Sequence, residues 1–135
     1  MMKRYANAAL LYALIAMAGG VFYREFTKLN GFAGKTTLSV LHTHYFLLGM
    51  VFFLLLLLLE KSFHFSGEAP VRGLTLYHAG LNVTGAGLLV RGILQVLNTP
   101  LSSALDASIA GISGIGHALL GIGLVLLLLR IRKQV

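Results

Sequence analysis

The stretch LSVLHTHYFLLGMVFFLLLLLLE, residues 38–60, is the clearest indication of the fold class of this protein. A helix needs about 20 apolar residues to cross the roughly 30 Å hydrocarbon core of a membrane, and this run is long enough. It does not alternate between apolar and polar residues, as the strand of a membrane barrel would. Two histidines, His42 and His44, interrupt it one residue apart. The stretch therefore predicts a transmembrane helix that carries imidazoles.

The whole chain has the composition of an integral membrane protein. Of its 135 residues 57% are hydrophobic and only 11% are charged, and the mean hydropathy is +0.85. Short loops join neighbouring antiparallel helices, so we expect an all-α, integral membrane four-helix bundle with up-down-up-down topology. It forms a single transmembrane domain, residues 1–135. Its predicted helices are 5–23, 36–59, 74–97 and 107–129.

The net charge of +7 is best explained by membrane topology. Basic residues accumulate on the cytoplasmic side of membrane proteins. Seven of them flank the two termini and the second loop, against three in the first loop and none in the third. We therefore expect cytoplasmic N- and C-termini, the lipid bilayer as a partner and no nucleic acid.

Polar side chains inside the predicted spans are the candidate functional residues, because each costs a few kcal/mol in hydrocarbon and marks a function or a partner. The chain has no cysteine, which excludes disulfides and thiolate metal sites and leaves histidine as the metal ligand. His64 falls in a loop, and we interpret it as a surface residue. The polar residues within the spans are His42, His44, His78, Asn82, Arg91, Gln95 and His117.

The spacing of His42 and His44 predicts two separate sites. Successive helical residues are about 100° apart, so these side chains project in directions that differ by roughly 200°. The two histidines therefore cannot easily bind one metal ion together. Each serves a different site, or one faces the interior of its own protomer while the other faces a neighbouring subunit.

The third helix also has polar groups on two faces. His78, Asn82 and Gly85 lie on one of them, and the opposite face carries Thr84, Gly87, Arg91 and Asn98. A helix with polar groups on both sides is not expected to face lipid. This pattern favours an oligomer, in which a neighbouring subunit covers the second face.

His117 lies among small residues on the fourth helix. Ala110, Gly114, Ala118 and Gly121 fall within a narrow angular band around it. Small residues let a flat ligand approach the backbone, and they equally let another helix pack closely. Both interpretations stay open.

The intramembrane histidines make haem a candidate cofactor. Imidazole is a common ligand for haem iron, copper and zinc. Haem is an apolar disc with two carboxylates, and an arginine such as Arg91 binds carboxylates bidentately while staying charged. The candidate cofactor-binding residues are His42, His44, His117, His78 and Arg91, of which His42, His44 and His117 are candidate metal ligands.

Four segments resemble a bacterial family of small four-helix membrane proteins of unknown function. They are REFTK (24–28), LSVLHTHYFLLG (38–49), LVRGILQVL (89–97) and LDASIAGISGIGHALLGIGL (105–124), and the resemblance covers nearly the whole chain. It implies a multi-pass protein of the bacterial cytoplasmic membrane.

The His-x-His motif followed by an apolar helix is similar to ligand helices in the large subunit of haem-copper oxidases and nitric oxide reductases. That subunit has twelve helices in three arcs of four, with metal ligands largely on the second helix of each arc. The resemblance implies a homotrimer with b-type haem between protomers, ligated by His42 of one subunit and His44 of the next. His78 and His117 are then further ligands or parts of a proton or copper site.

The implied role is electron transfer with an unidentified redox partner, or sensing of a gas such as NO or O2. The chain has neither a Tyr-His crosslink motif nor a tandem His-His pair, so no oxygen-reducing centre is predicted and the question of catalysis stays open. Two alternatives remain. One is a copper- or zinc-binding membrane protein or transporter. The other is a structural assembly subunit without a cofactor, whose histidines only hydrogen-bond between helices.

Overall fold

The computed structural model describes residues 1–67 and 72–134 and contains four long helices in this part of the chain. Each is long and apolar enough to cross a membrane, which confirms the all-α prediction. They are α1 (Met2–Leu29), α2 (Leu38–Phe63), α3 (Arg72–Val96) and α4 (Ser103–Arg132).

The helix ends differ from the predicted spans by a few residues. The largest difference is at α1, which runs several residues beyond the predicted 5–23 at both ends, because polar residues at a membrane surface can continue a helix whose interior is apolar. Ser102 caps α4, as its side-chain oxygen accepts the Leu105 N–H at 3.3 Å. Of the predicted second loop, residues 68–71 lie outside the described residues.

The helices pack in chain order. α2 lies between α1 and α3, and α3 lies between α2 and α4. In the described residues α1 and α4 form no packed interface with each other. The arrangement is therefore an open row of four antiparallel helices, in which α4 relies on α3.

Glycines allow the backbones of α3 and α4 to touch. A methyl group on Gly80 would overlap the backbone of Leu120, and one on Gly123 would lie 2.5 Å from the Tyr77 nitrogen. Close backbone approach of this kind is typical of helix pairs in membranes, where van der Waals packing has to replace the hydrophobic effect. It is the most extensive helix pair of the fold.

A π-helical turn interrupts α2 between Tyr45 and Val51. The Phe52 N–H donates to the Leu47 carbonyl, five residues earlier, and the Leu48 carbonyl accepts the Tyr77 hydroxyl at 2.8 Å. Gly49 lies in this turn, and a methyl group there would come within 2.6 Å of the Tyr12 Cβ. The wide turn thus lets α1 approach α2 closely.

The core is aromatic at the level of this turn. Phe53 is fully buried and packs against Tyr5, Tyr12 and Tyr77, and its ring stacks on the imidazole of His78 with centroids 4.6 Å apart. Aromatic pairs in this range add to the stabilisation from burial. Sequence reasoning found His78 but did not find this aromatic cluster around it.

The turn after α2 folds back and forms hydrogen bonds with the C-terminal end of α4. Ser66 is fully buried, its N–H donates to the Glu60 carboxylate at 3.0 Å, and its hydroxyl lies 2.6 Å from the Tyr5 hydroxyl. The Arg130 guanidinium donates to the carbonyls of Phe65, at 2.9 Å, and of Ser66. A charge-assisted contact of this kind ties the end of α4 to the α2 turn.

Other helices of the chain contact both polar faces of α3. Asn82 hydrogen-bonds to Tyr12 of α1, whereas Thr84 and Gly87 lie against Gly116 and Ser113 of α4. The chain therefore covers the Thr84 face of α3, whereas Asn82 on the other face stays exposed.

Candidate functional site

The structure brings together two of the predicted histidines from different helices, His44 of α2 and His117 of α4. Their ring centroids lie 6.3 Å apart and their planes are nearly perpendicular, at 89°. The two histidines come from helices that both pack against α3. The sequence suggested both residues separately but did not pair them.

Both imidazoles are held by a backbone carbonyl of their own helix. Nδ1 of His44 is 2.8 Å from the Val40 oxygen, and Nδ1 of His117 is 2.8 Å from the Ser113 oxygen. A carbonyl only accepts, so each Nδ1 carries the ring proton and donates it. In the neutral ring the Nε2 atom then keeps a lone pair. Two such atoms are the ligands that haem iron, copper and zinc take from histidine.

The small residues around His117 remain uncovered. A methyl group on Gly111, Gly114 or Gly121 would meet no atom of the described chain within 4 Å. The helix-packing glycines of α4 are instead Gly116 and Gly123, on an adjacent face. Within this chain the predicted band around His117 is therefore not a helix-packing surface.

His42 lies apart from this pair and faces α1, as the roughly 200° divergence predicted. Its side chain contacts Gly20, where an added methyl group would be 3.7 Å from the imidazole, and its ring stacks on Tyr23 with centroids 6.5 Å apart. Its Nδ1 is buried and has no hydrogen-bond partner among the described residues. A buried nitrogen without a hydrogen-bond partner normally has an explanation, such as a bound water or ion.

His78 belongs to a hydrogen-bond chain that links α1, α2 and α3. The Tyr45 hydroxyl points to Asn82 Oδ1 at 3.4 Å, and Asn82 Nδ2 donates to the Tyr12 hydroxyl at 3.0 Å. The Tyr12 oxygen lies 2.6 Å from His78 Nδ1. Asn82 Nδ2 also donates to the His78 carbonyl at 2.8 Å, so both amide hydrogens are used.

The direction of this chain follows from its donors. The Tyr12 oxygen accepts from Asn82, and its one hydrogen is then available for His78 Nδ1. His78 therefore carries its own ring proton on Nε2. The Nδ1 atom of His78 accepts a hydrogen bond from Tyr12, whereas the Nε2 atoms of His44 and His117 keep their lone pairs.

Replacing Tyr12 by phenylalanine should destabilise the fold by roughly 1 to 2 kcal/mol, since buried hydrogen bonds in membranes are worth about that much and both Asn82 and His78 lose a partner. Thermal unfolding in detergent, followed by circular dichroism, measures the change. Tyr23→Phe is the matched variant, because the described residues offer the Tyr23 hydroxyl no partner. Equal melting temperatures of the two variants would contradict a stabilising role for the chain.

Arg91 is paired within the chain. Its Nη2 lies 2.9 Å from the Asp106 carboxylate and also donates to the Asp106 carbonyl at 3.1 Å. Lys35 and Asn98 line the same pocket of about 350 Å³, at the end of the helices opposite the termini. Within this chain, the carboxylate that Arg91 binds is therefore that of Asp106.

The other polar residues found in the sequence have structural roles or surface positions. Gln95 accepts the Thr37 N–H at 2.8 Å and so caps the start of α2. His64 is exposed and ends α2 with a positive φ of 47°. Tyr12 and Tyr45 were missed, although a tyrosine in mid-span is a signal, since its hydroxyl needs a partner there.

The described residues contain no group of three or more His, Cys, Asp or Glu side chains that could hold a metal ion. A metal at His44 and His117 would therefore need further ligands from a cofactor, from water or from another chain.

Comparison with known proteins identifies the family. No curated protein and no solved structure matches the chain. The family model described as "Protein of unknown function (DUF2871)" matches residues 2–134. This confirms the resemblance to a family of unknown function. The chain belongs to the DUF2871 family.

Proposed function

We propose that this chain is a haem-binding integral membrane protein that acts in electron transfer or in sensing a gas such as NO or O2. The observation that carries the proposal is the meeting of His44 and His117. They come from different helices, and each has Nδ1 bonded to a carbonyl, so that in the neutral ring Nε2 keeps its lone pair.

His44 and His117 are the residues that would hold a b-type haem. An imidazole whose second nitrogen donates to a carbonyl is fixed in orientation and is a more basic ligand. The separation between His44 and His117 is 6.3 Å. A bound haem supplies a one-electron carrier and an iron that can bind gases.

The surface beside His117 suits a flat apolar ligand. Gly111, Gly114 and Gly121 leave the backbone of α4 open there, and α4 packs mainly against α3. A ligand on this surface still needs a cover on its other side. We propose that a neighbouring subunit supplies it in a homotrimer of twelve helices, as the resemblance to haem-copper oxidases implies.

Arg91 and Lys35 are the cations proposed for the two carboxylates of the haem. Both line the pocket at the end of the helices opposite the termini. Asp106 neutralises one charge, so binding a carboxylate at Arg91 means sharing its guanidinium with Asp106. The Arg91 guanidinium has further N–H donors that can bind the haem carboxylate.

The proposed location is the bacterial cytoplasmic membrane, with both termini in the cytoplasm. Its support is the excess of basic residues at the end of the helices that carries the termini. Arg130 also ties α4 to the α2 turn at this end.

The absorption spectrum of protein purified from cells with ample haem tests the proposal. A Soret band with one haem for each histidine pair is expected, and iron with two imidazoles should not bind carbon monoxide. A spectrum without a Soret band overturns the proposal. Binding of carbon monoxide means that one axial position is open, which favours a gas-sensing role.

A copper or zinc ion on the same two imidazoles is the second candidate, because the pair already supplies two nitrogen ligands. Metal analysis separates the two functions. One copper or zinc per chain without haem iron supports this candidate. Protein with neither metal nor haem supports a structural assembly subunit.

A further inference from the structure

A groove between α1 and α3 is independent of the histidine pair. It has a volume of about 450 Å³, its floor is formed by Leu41 and Tyr45 of α2, and its only amide-bearing wall residue is Asn82. Its remaining lining residues are apolar or glycine. Ligand sites are commonly of this size, apolar with a few polar groups that fix orientation.

The exposure of Asn82 at this depth distinguishes the groove from an ordinary lipid-facing crevice. Asn82 lies ten residues into α3, roughly 15 Å from its start and so about half-way across a membrane. Its side chain is nevertheless exposed in this chain. An amide uncovered in hydrocarbon is costly, which points to a partner with its own polar group.

The atoms left free by the hydrogen-bond chain define that polar group. Both Asn82 amide hydrogens are used, whereas Oδ1 receives only the long bond of 3.4 Å from Tyr45. Among the described residues the Tyr45 oxygen accepts no hydrogen bond, and its hydroxyl can turn towards a better acceptor. A ligand hydroxyl satisfies both, since it donates to Asn82 and accepts from Tyr45. A carbonyl can only accept from Tyr45.

The side chains that line the groove indicate the chemistry of the rest of the ligand. Phe22 and Tyr45 offer aromatic surface, and Ala18, Gly19 and Ala86 keep the walls low enough for a ring to lie between the helices. We propose that this groove binds a lipid-soluble hydroquinone, with a ring hydroxyl on Asn82 and Tyr45 and the alkyl tail along the apolar walls. None of these residues is a candidate haem ligand, so the proposal stands apart from the proposed function.

Calorimetric titration of the purified full-length protein in detergent tests this site. The probe is a para-hydroquinone with a short alkyl tail, compared with its dimethyl ether, which has the same shape but no hydroxyl donor. We expect the hydroquinone to bind and the ether to bind roughly tenfold more weakly, which corresponds to one lost hydrogen bond. Tyr45→Phe should weaken hydroquinone binding by a similar factor.

Two further variants keep the test decisive if Tyr45→Phe does not fold. Ala86→Leu fills the groove without touching the hydrogen-bond chain and should abolish binding. Tyr77→Phe removes a hydroxyl that bonds to Leu48 outside the groove and should leave binding unchanged. Equal binding of hydroquinone and ether, or full binding by Ala86→Leu, overturns the proposal.

A second copy of the chain is the competing occupant of the groove. The chain has no cysteine, so single cysteines at Ala18 and Ala86 report crosslinks cleanly. If these positions crosslink between chains and the hydroquinone does not bind, the groove is a subunit interface and the proposal is wrong. Protection of both positions from thiol reagents by the hydroquinone supports it.

Discussion

Replacing His44 or His117 by alanine is expected to remove at least nine-tenths of the haem from the purified protein. Each replacement takes away one of two imidazoles that meet at 6.3 Å, and a lone axial ligand holds haem far less tightly. The ratio of the Soret band to the protein absorption measures the loss. Imidazole added to the purified variants with haem should restore part of the band, because it replaces the missing ligand without restoring the side chain.

His64→Ala and His42→Ala are the control variants for this experiment. His64 is exposed at the end of α2, and its removal should leave the haem content unchanged. His42 faces Gly20 of α1, so its removal should also preserve the band if His44 and His117 are the ligands. Loss of haem in His42→Ala, with full haem in His117→Ala, would instead support sharing of His42 and His44 between subunits. Full haem in both His44→Ala and His117→Ala contradicts the proposed site.

Gly80→Ala should destabilise the protein by about 1 to 3 kcal/mol, because overfilling a packed interface forces the two backbones apart. The added methyl group would occupy the position of the Leu120 backbone in α4. Unfolding in detergent measures the change. Since α4 carries His117 and packs mainly on α3, the same variant should also lose haem.

Gly121→Ala is the matched variant for this prediction. It makes the same change in the partner helix, at a position where no described atom lies within 4 Å of the new methyl group. Its stability should rise by up to about 1 kcal/mol, since alanine is the better helix former. Equal stability of Gly80→Ala and Gly121→Ala would contradict the backbone contact between α3 and α4.

The helices themselves could be predicted from the sequence, because hydropathy and helix length are local properties. Residues 38–60 are apolar enough to identify α2 without any knowledge of its neighbours. The divergence of His42 and His44 was predictable for the same reason, since it depends only on the angle between successive residues of one helix.

The pairing of His44 with His117 could not be predicted, because it depends on which helices lie side by side. Sequence periodicity gives the face of each helix but not the neighbour of that face. The glycines of α4 illustrate this, since Gly114 and Gly116 look alike in the sequence. In the structure Gly116 packs against Thr84, and Gly114 is open.

The partner of Arg91 was missed for a related reason. Asp106 lies fifteen residues further along the chain, in the first turn of α4, and only the turn between α3 and α4 brings it to the guanidinium. A carboxylate partner for Arg91 could be expected from the chemistry of arginine. The sequence did not indicate that the chain already contains one within 2.9 Å.

The π-helical turn at Tyr45–Val51 divides α2 into two segments with separate angular phases. A π turn accommodates one more residue than an α turn over the same rise. Relatives that lack one residue within 45–51 can therefore keep both the histidine half and the aromatic half of α2 in place, simply by closing the turn to an ordinary α-helix. The same deletion elsewhere in α2 would rotate one half against the other by about 100°. Length variation in this helix, if the family has it, is expected within this one turn.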